Sequence, residues 1–429
     1  MRMTGPRDDL LAIFAAALAA VNGEAAVVRA LADTPLAGRW RVVAVGKAAA
    51  AMWRGARQSL GERLAAGLVI TKSGHAEGLT TGLVITKSGH AEGLTTGPGI
   101  EVIESDHPVP GAQSLAAGRR LLAFLGDAPP DARFLFLISG GASSLVEVLP
   151  EGLDAGWLAR LNTWLLGSGL EIAAVNAVRR RASRIKGGGL LSWLAGREAC
   201  CLLISDVPGD DPAVIGSGLL VPGGPSPLPE CLPDWIRDGL PPPRRPDAAS
   251  PVDCRIVADR RRALAAAATE AAARGYPVYR HETFLAGEAQ AVGGRLAETL
   301  RQGPAGVHLW AGETTVRLPA RPGRGGRNQH LALAAAQRLA GEAGIWLLAV
   351  GTDGSDGPTG DAGALVDGQS MARMMLDGCD PVAALAGADA GPCLEAAGDL
   401  IRTGPTGTNV MDLVIGLKID GPTPPRATP

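Results

Sequence analysis

The chain has 429 residues, of which 46% are hydrophobic and 20% are charged, and its formal net charge is −2. This length exceeds one ordinary hydrophobic core and predicts two domains, while the composition is that of a globular enzyme and excludes a disordered chain. Positive and negative residues are interspersed, so no basic stretch indicates a nucleic acid or an anionic membrane as a partner.

The cysteines and the N-terminal apolar run indicate where the protein works. None of the six cysteines forms a C-x-x-C pair, so we interpret them as buried hydrophobic residues in a reducing compartment rather than as disulfides or zinc ligands. The apolar run at 10–21 is too short to span a bilayer, and Asp8 and Asp9 before it suit the first turn of a soluble helix. We therefore expect a cytoplasmic protein.

In chain order, the first half alternates helical and strand patterns. A helical pattern covers residues 8–32, and the first buried strand is expected at 41–45. Further strands, separated by helical segments, are expected at 67–72, 100–103, 134–138 and 200–204. This alternation predicts an α/β fold with a doubly wound, mostly parallel sheet of the Rossmann type.

One segment of the first half is duplicated. Residues 67–81, GLVITKSGHAEGLTT, are repeated letter for letter as residues 82–96. Two copies are too few for a solenoid, and a strand GLVITK needs only one position in the sheet. We therefore expect one copy to be displaced as a surface loop or an extra edge strand. The sequence leaves open which copy occupies the sheet.

A proline- and glycine-rich stretch at 221–251 marks the expected domain boundary. The prediction is a Rossmann-like domain at 1–240 and a smaller α/β domain at 250–429. In the second domain a helix is expected at 260–274, and strands are expected at 255–258, 278–279, 307–310, 314–318, 345–350 and 412–419.

Four loops share one arrangement, an apolar strand that ends in glycines and polar residues. They are Gly46-Lys47 and the segments 139–144, 205–211 and 352–361. Glycine lets backbone N–H groups approach an anion, and the N-terminus of a following helix adds partial positive charge. Tight turns also use glycine for steric reasons, so no single loop decides the matter. Together they predict an anion site at the carboxyl ends of the strands.

Two basic residues stand out in these loops and near them. Only five of the 41 basic residues are lysine, so Lys47 in a strand-to-helix turn predicts a point charge for a phosphate or a carboxylate. Arg327, between Gly325-Gly326 and Asn328 at a helix start, predicts a bidentate anion clamp. An ordinary salt bridge at the helix end is the alternative for Arg327.

Acidic residues follow two of the strands. Asp353 and Asp356 follow the strand at 345–350, and Asp206 follows the strand at 200–204. Clustered carboxylates predict Mg²⁺ or a general base, although aspartates also stabilise turns. His107, before Pro108, is the one histidine in a comparable loop. No Walker A motif or G-x-G-x-x-G fingerprint is present, so a nucleotide must be held in another way.

Long motifs in this order resemble the glycerate 2-kinases, whose carboxyl half is called the MOFRL domain and whose members are often labelled hydroxypyruvate reductases. The motifs are VVAVGKAAAAM (42–52), HPVPG (107–111), LISGGASSL (137–145), NAVRRRASRIKGGGL (176–190), ISDVPGDDPAVIGSGLLVP (204–222), AGETTV (311–316), GGRNQHLAL (325–333), GTDGSDGPTGDAGA (351–364) and PTGTNVMDL (405–413).

The resemblance implies ATP- and Mg²⁺-dependent phosphorylation of the 2-hydroxyl of D-glycerate, in a cleft between two α/β domains. Lys47 and Arg327 stand at positions central to activity in that family and are assigned as electrostatic clamps. Among Asp206, Asp353 and Asp356, one is expected to hold Mg²⁺ and another to orient or deprotonate the 2-hydroxyl. The remaining residues expected to bind substrate or nucleotide are Gly46, His107, Ser139, Gly140, Gly141, Ser143, Ser144, Lys186 and Asn328.

Three departures from the family pattern accompany the resemblance. Ala142 replaces a glycine of the usual SGGGSAL loop, Ala258-Asp259 replaces the usual SN, and the duplicated segment has no counterpart. Two other functions stay open: an NAD(P)H-dependent hydroxypyruvate reductase and an inactive ligand-binding homologue. The expected partners are glycerate and a nucleotide, and a homodimer is left open.

Overall fold

The computed structural model describes residues 5–76, 79, 83–85, 91–92, 99–224, 227–242 and 252–420. The chain forms two compact units. The central unit is Asn22–Ala258, and the terminal unit joins the N-terminal residues up to Val21 with the segment that begins at Asp259. Each unit has its own sheet and hydrophobic core.

The central unit contains an eight-stranded sheet in the order β4-β3-β5-β2-β1-β6-β7-β8. All neighbours pair in parallel except β3 and β4. From β5 to β8 the order is that of a Rossmann fold, with the chain reversing its direction of growth between β1 and β6. The strands are β1 (Trp40–Val45), β2 (Leu64–Lys72), β3 (Leu83–Ile85), β4 (Ala91–Glu92), β5 (Ile100–Ser105), β6 (Arg133–Ile138), β7 (Ala199–Ile204) and β8 (Asp253–Ala258).

The helices of the central unit follow the alternation that the sequence predicts. Asn22 begins the first of them, because its side chain accepts hydrogen bonds from the N–H groups of Glu24 and Ala25. Apolar faces of these helices pack with buried strand residues such as Val42–Val45 and form the core. The helices are α2 (Gly23–Asp33), α3 (Ala49–Leu60), α4 (Ala112–Gly126), α5 (Ala142–Leu145), α6 (Ala155–Gly167), α7 (Ile172–Arg181) and α8 (Asp234–Gly239). The predicted α/β fold with a mostly parallel sheet is confirmed.

Both copies of the duplicated segment contribute to this sheet, and the second copy supplies both β3 and β4. The first copy lies inside it, as part of β2 between β1 and β5, and the second copy adds β3 on the other side of β5. Glu101 of β5 pairs with Leu68 on one side and with Leu83, the equivalent residue of the second copy, on the other. The expected extra strand is therefore formed by the second copy, and it adopts the register of the first.

The terminal unit contains a six-stranded mixed sheet in the order β13-β12-β11-β14-β10-β9. Only β9 and β10 pair in parallel; the other four pairings are antiparallel. The strands are β9 (Val278–Arg280), β10 (Gly306–Gly312), β11 (Ile345–Gly351), β12 (Gly363–Asp367), β13 (Leu400–Ile401) and β14 (Asp412–Lys418), and the helices are α1 (Pro6–Val21), α9 (Arg260–Ala273), α10 (Ala289–Gln302), α11 (Arg327–Leu339), α12 (Ser370–Leu376), α13 (Pro381–Ala386) and α14 (Ala390–Ala396).

The structure corrects one predicted strand of the terminal unit and explains one departure from the family pattern. The strand predicted at 314–318 is wrong, because Thr315 makes only an isolated bridge to Glu288. The departure at Ala258-Asp259 has a local role, since the Asp259 side chain accepts the N–H of Arg262 at 2.8 Å and caps α9.

The division into units departs from the predicted boundary at 240–250 in two places. The first helix, α1, belongs to the terminal unit, where Asp9 accepts hydrogen bonds from Arg274 Nη1 at 2.5 Å and from the Tyr276 hydroxyl at 2.6 Å. Strand β8 follows the predicted boundary but pairs with β7 and completes the first sheet. Packing between segments that are distant in the chain determines which unit α1 and β8 belong to. A local change of composition does not reveal that packing.

Candidate active site

The predicted lysine turn and serine loop meet at the switch point of the central sheet. They follow β1 and β6, which are parallel neighbours, so their loops leave the same edge. The Lys47 N–H donates to the Gly140 carbonyl at 2.9 Å, and the Ala48 N–H donates to Ser139 Oγ at 3.0 Å. A Cβ on Gly46, which has φ +134°, would lie 2.1 Å from Ser139 Oγ. Glycine is therefore required at position 46.

His107 and Lys47 flank the glycine of the serine loop. A Cβ on Gly141, which has φ +84°, would lie 3.2 Å from His107 Nε2 and 3.3 Å from Lys47 Cγ. The peptide bond between His107 and Pro108 is cis. His107 and Lys47, two predicted residues from two other loops, therefore lie close to the backbone of Gly141.

Ala142, the departure from the family loop, is accommodated inside the protein. It is the first residue of α5 and is completely buried. A Cβ built on Gly216 would lie 3.2 Å from the Ala142 methyl group, so this methyl group packs close to the Gly216 backbone. Ala142 therefore fills interior space beside β6.

A cavity of about 120 Å³ lies beside the serine loop within the central unit. Four residues of the predicted binding set line it, and three further polar residues line it that the sequence did not single out. The four predicted residues are Gly141, Ser143, Ser144 and Lys186, and the three others are Glu147, Asn162 and Arg179.

Lys186 forms a buried ion pair at the wall of this cavity. Its Nζ lies 2.5 Å from Glu147 Oε2, and the two side chains are 1% and 4% exposed. The other carboxylate oxygen of Glu147 accepts the N–H of Val148 at 2.9 Å. A buried charge needs such a partner, because desolvation of a lone ion is very costly. The positive charge of Lys186 is therefore balanced within the protein.

Arg179 and Asn162 line the same cavity, and each has one buried donor without a partner among the described residues. Neither Arg179 Nε nor Asn162 Nδ2 finds a hydrogen-bond acceptor among the described residues, although both atoms are buried. Burial lowers the pKa of Arg179, and the charge of Glu147 opposes that effect. Sequence reasoning missed both residues, since Arg179 stands in a run of three arginines and Asn162 lies within an apolar helix. The available signal in the sequence was a single asparagine within this apolar helix.

Asp206 lies at the same edge of the central sheet. It follows β7, which pairs in parallel with β6, and its side chain is half-buried. The prediction that Asp206 acts in catalysis or holds Mg²⁺ stays a prediction.

A second charged group lies in the terminal unit, around Arg327. The register of the sheet sets Gly312, Asp412 and Gly351 side by side on β10, β14 and β11. Arg327 at the start of α11 donates from Nε to Asp412 Oδ2 at 2.6 Å and from Nη2 to Asp412 Oδ1 at 3.0 Å. Its Nη1 lies 2.5 Å from Glu313 Oε1. Three strand ends and one helix start therefore converge.

The carboxylates hold the guanidinium ionised and oriented. Burial acts to lower the pKa of Arg327, but Asp412 and then Glu313 raise it above its usual range. The three contacts use three of the five N–H donors of the group. The guanidinium of Arg327, predicted to bind an anion, is thus held by ion pairs with Asp412 and Glu313. The sequence reasoning missed both of these residues. The available signal for Asp412 was an aspartate that opens an otherwise apolar strand.

Asp356 caps helix α11. Its Oδ1 accepts the N–H of Asn328 at 3.0 Å and its Oδ2 accepts the N–H of Gln329 at 2.8 Å, while Asn328 Nδ2 donates to Oδ1 at 3.3 Å. Burial raises the pKa of Asp356 to about 7 in spite of these hydrogen bonds. The predicted residues Asp356 and Asn328 are therefore together, and the anion at this helix N-terminus is a side chain of the protein itself.

Asp353 borders the same space as Asp412. Its Oδ1 accepts hydrogen bonds from the Ser355 N–H at 2.9 Å and from the Ser355 hydroxyl at 3.0 Å. A Cβ on Gly351 would lie 3.4 Å from Asp353 Oδ1 and 3.5 Å from Asp412 Oδ1. Three buried aspartates, at 353, 356 and 412, thus lie near one arginine, and this excess of acid suits a cation.

The described residues contain no group of three or more histidine, cysteine, aspartate or glutamate side chains arranged to hold a metal ion. Mg²⁺ does not require such a group, because it is commonly held by one or two carboxylates, waters and the phosphates of a nucleotide. Asp353 is the carboxylate of the terminal unit that fits this requirement, because both oxygens of Asp412 bind Arg327 and both oxygens of Asp356 cap α11.

Across the described part of the chain, no single helix is long and apolar enough to cross a membrane, and only the consecutive helices α1 and α2, taken together, meet that criterion.

Comparisons with known proteins now place the chain. Residues 9–232 match the family model described as a domain of unknown function, DUF4147, and residues 306–412 match the MOFRL family. The chain is 34% identical over 394 residues to the D-glycerate 2-kinase of Thermotoga maritima, with 88% of this chain and 90% of that protein covered. It belongs to the MOFRL family of glycerate 2-kinases.

Two further comparisons agree with the family and the fold. A protein of Agrobacterium vitis, provisionally named hydroxypyruvate reductase, is 37% identical over 431 residues, which cover 95% of this chain and 93% of that protein. The crystal structure of the Thermotoga maritima glycerate kinase matches with a TM-score of 0.79 and 32% identity, covering 96% of this chain and 99% of that one. The resemblance seen in the sequence motifs is confirmed.

Proposed function

We propose that this member of the MOFRL family is a D-glycerate 2-kinase, which transfers the γ-phosphoryl group of ATP to the 2-hydroxyl of D-glycerate and forms 2-phosphoglycerate. The observation that carries the proposal is the 34% identity to the Thermotoga maritima D-glycerate 2-kinase over nearly the whole chain. Phosphoryl transfer needs positioned cations and little covalent help from the protein, and Lys47 and Arg327 are the proposed cations.

The central unit contributes Lys47 at its switch point. Lys47 leaves the turn beside Gly141 and His107, and the backbone around it is fixed by its hydrogen bond to Gly140. A lysine in this position supplies a point charge for a phosphate or carboxylate group. The loop 139–144 is the proposed anion cradle, with Ser144 Oγ donating to the Gly141 carbonyl at 3.0 Å and fixing the loop.

The terminal unit contributes Arg327 and its aspartates. Arg327 keeps two N–H groups beyond its contacts with Asp412 and Glu313, and these are the proposed donors to the transferring phosphoryl group. Mg²⁺ would neutralise charge on the phosphates of the nucleotide. Asp353 and Asp206 are the proposed carboxylates for Mg²⁺ and for accepting the proton of the 2-hydroxyl. Asp356 ranks behind them because both of its oxygens cap α11.

The name of the Agrobacterium vitis relative makes hydroxypyruvate reduction the second candidate. Dinucleotide-binding folds hold the pyrophosphate on free backbone N–H groups of the first βα turn. Here the N–H groups of Lys47 and Ala48 in that turn are bonded to Gly140 and Ser139. We therefore expect no oxidation of NADH or NADPH when hydroxypyruvate is added.

The test is a coupled ADP-release assay with D-glycerate, ATP and Mg²⁺, followed by phosphorus NMR of the product. We expect ADP release that depends on both substrates and a product that carries phosphate at carbon 2. Phosphate at carbon 3 would refute the position of transfer. ADP release at the background level, with binding of glycerate and ATP intact, would instead support an inactive homologue.

Location and assembly complete the proposal. All six cysteines are free thiols in the structure, which accords with a reducing compartment and with the cytoplasm in particular. A homodimer stays a prediction, to be measured by light scattering after size-exclusion chromatography.

A further inference from the structure

The cavity of the central unit carries one uncompensated positive charge. Among the described residues, three ionisable side chains line it: Glu147, Arg179 and Lys186. Glu147 and Lys186 neutralise each other in their buried pair, which leaves the guanidinium of Arg179. Water is a poor counterpart for a cation in a partly closed space, so this charge favours a monoanion as occupant.

Two residues of the cavity lining have a hydrogen-bond donor without a partner in the described part of the chain. Asn162 is 2% exposed, and its Nδ2 has no acceptor in the described part of the chain. The Nε atom of Arg179 likewise has none there. Leaving one buried donor unpaired costs ~1–3 kcal/mol, and donors left in this state point to an acceptor that arrives from outside. A ligand oxygen bound beside these residues would supply the acceptor that both donors lack.

The size and walls of the cavity limit that acceptor to a small molecule. Its volume is about 120 Å³, and Leu158, Leu161 and Pro108 give it apolar walls between the polar groups. A three-carbon acid fits such a volume. Gly141 lines the cavity and lies against Lys47 and His107, so an acid held here has its other end near the lysine turn.

We propose that Arg179 and Asn162 bind the carboxylate of the hydroxy acid substrate, and that this cavity selects acids of about three carbons. The proposal deepens the kinase function above and depends on it for the identity of the acid. A carboxylate, with one negative charge and two coplanar oxygens, matches a single guanidinium and one amide donor. A terminal phosphate carries more negative charge than the single net positive charge of the described lining residues balances.

Three variants test the assignment. Arg179→Gln and Asn162→Leu each remove a donor from the cavity, and Arg160→Gln is the control, because Arg160 is exposed on the same helix as Asn162 and does not line the cavity. Titration calorimetry with D-glycerate in the absence of nucleotide measures the site directly. We expect Arg179→Gln to weaken D-glycerate binding at least ~30-fold and Asn162→Leu ~5-fold or more, as for lost charged and neutral hydrogen bonds, with Arg160→Gln unchanged.

Steady-state kinetics separate the carboxylate site from the nucleotide site. The KM for D-glycerate should rise in Arg179→Gln while the KM for ATP stays within about twofold. A rise in the KM for ATP alone would move the cavity to the nucleotide and overturn the proposal. Wild-type binding in both cavity variants, with thermal unfolding showing intact folding, would also overturn it.

The binding experiment tests the carboxylate site even if the protein has no kinase activity. Calorimetry with D-glycerate, L-lactate and tartronate does not require turnover, so binding to the wild type and loss in Arg179→Gln would support the carboxylate site without any ADP release. Absence of binding for all three acids at millimolar concentration would refute the site. A protein that releases ADP with glycerate yet binds it equally well in Arg179→Gln would keep its function and lose this assignment.

Discussion

Arg327 and Asp412 form a forked ion pair, with Nε to Oδ2 at 2.6 Å and Nη2 to Oδ1 at 3.0 Å. The aspartate side chain is 3% exposed. The pair joins the first residue of α11 to the first residue of β14, which lie 85 positions apart in the chain. It fixes the direction in which the remaining N–H groups of the guanidinium face, which is the condition for stabilising a transition state by preorganised charge.

Replacing Arg327 should therefore affect activity and stability together, and two variants separate the effects. Arg327→Ala should lower kcat at least ~100-fold, the range for loss of a preorganised donor, and should also lower the Tm because Asp412 stays buried without a partner. Arg327→Lys keeps a charge beside Asp412 but loses the fork, so its Tm should stay near that of the wild type while kcat still falls.

The control for these variants is Arg324→Ala. Arg324 lies three residues away and pairs with Glu395 at the surface, where an ion pair contributes ~1 kcal/mol or less. Its kcat should match the wild type. Full activity in Arg327→Lys would limit Arg327 to a structural role.

The pair of Glu147 and Lys186 predicts a non-additive effect on stability. Removing one partner leaves a buried unpaired charge, which costs ~3–5 kcal/mol. The double variant Glu147→Leu with Lys186→Met removes both charges, so its Tm should lie above that of either single variant. Calorimetric scans of the four proteins make the comparison. Additive losses in the double variant would show that the two charges do not stabilise each other.

Asp356 predicts a dependence of stability on pH. Its pKa of about 7 in the folded protein lies above the usual value, so between pH ~4 and ~7 the folded state keeps a proton that the unfolded chain releases. The contribution of Asp356 to stability is thus full below pH ~4, declines as the pH rises to ~7 and is constant above that. Asp356→Asn lacks this titration.

The measurement is the difference in unfolding free energy between wild type and Asp356→Asn, from urea denaturation at pH values from 4 to 8. The advantage of the wild type should shrink as the pH rises through this window, because all other titrating groups cancel in the difference. A constant difference would show that Asp356 is ionised in the folded protein throughout.

Gly46 predicts a steric effect that a second glycine can isolate. Gly46→Ala would set a methyl group 2.1 Å from Ser139 Oγ, so the lysine turn and the serine loop must separate. Gly61 also has a positive φ, of +53°, but a Cβ there meets nothing within 4 Å, so Gly61→Ala carries only the backbone cost of ~1–3 kcal/mol. We expect Gly46→Ala to lower the Tm further and to abolish turnover, while Gly61→Ala keeps its kcat. Equal losses in the two variants would exclude the contact with Ser139 as the cause.

The duplication predicts a tolerated deletion. Because the two copies are identical, deletion of residues 82–96 and deletion of residues 67–81 give the same protein. The chain would keep one strand between β1 and β5, and the segment from Lys72 to Ile100 would retain 12 connecting residues, about the minimum for a parallel crossover. We expect kcat within about twofold of the wild type and an equal or higher Tm in the 414-residue variant. Loss of folding would show that β3 is needed to cover β5.

Much of the central unit could be predicted because its signals are local. The apolar runs that end at Val45 and Ile138 predicted buried strands of a mostly parallel sheet, and the glycines after them predicted an anion site at the strand ends. In the terminal unit the same reasoning proposed Arg327 and Asp353 as site residues, and it also predicted a strand at 314–318 that does not form. A short run with alternating polar residues is typical of a strand, yet only a partner strand makes it one.

The residues that the sequence did not indicate share a different property. Asp412, Asn162 and Arg179 gain their roles from what surrounds them, and nothing next to them in the chain indicates those surroundings. Asp412 looks like an ordinary strand residue until β10 and β11 pair on either side of β14 and bring Arg327 within 2.6 Å. Arg179 is indistinguishable from Arg180 and Arg181 until the fold leaves its Nε buried beside a cavity.

The sequence by itself determined the family, the parallel sheet and the loops that carry Lys47 and Arg327, because glycine, lysine and apolar periodicity act over a few neighbouring residues. Only the tertiary structure decided that α1 packs on the terminal unit, that the second copy of the repeat adds a strand beside β5, and which charges are paired. Pairing and burial depend on distances between residues far apart in the chain, and those distances exist only once the chain has folded.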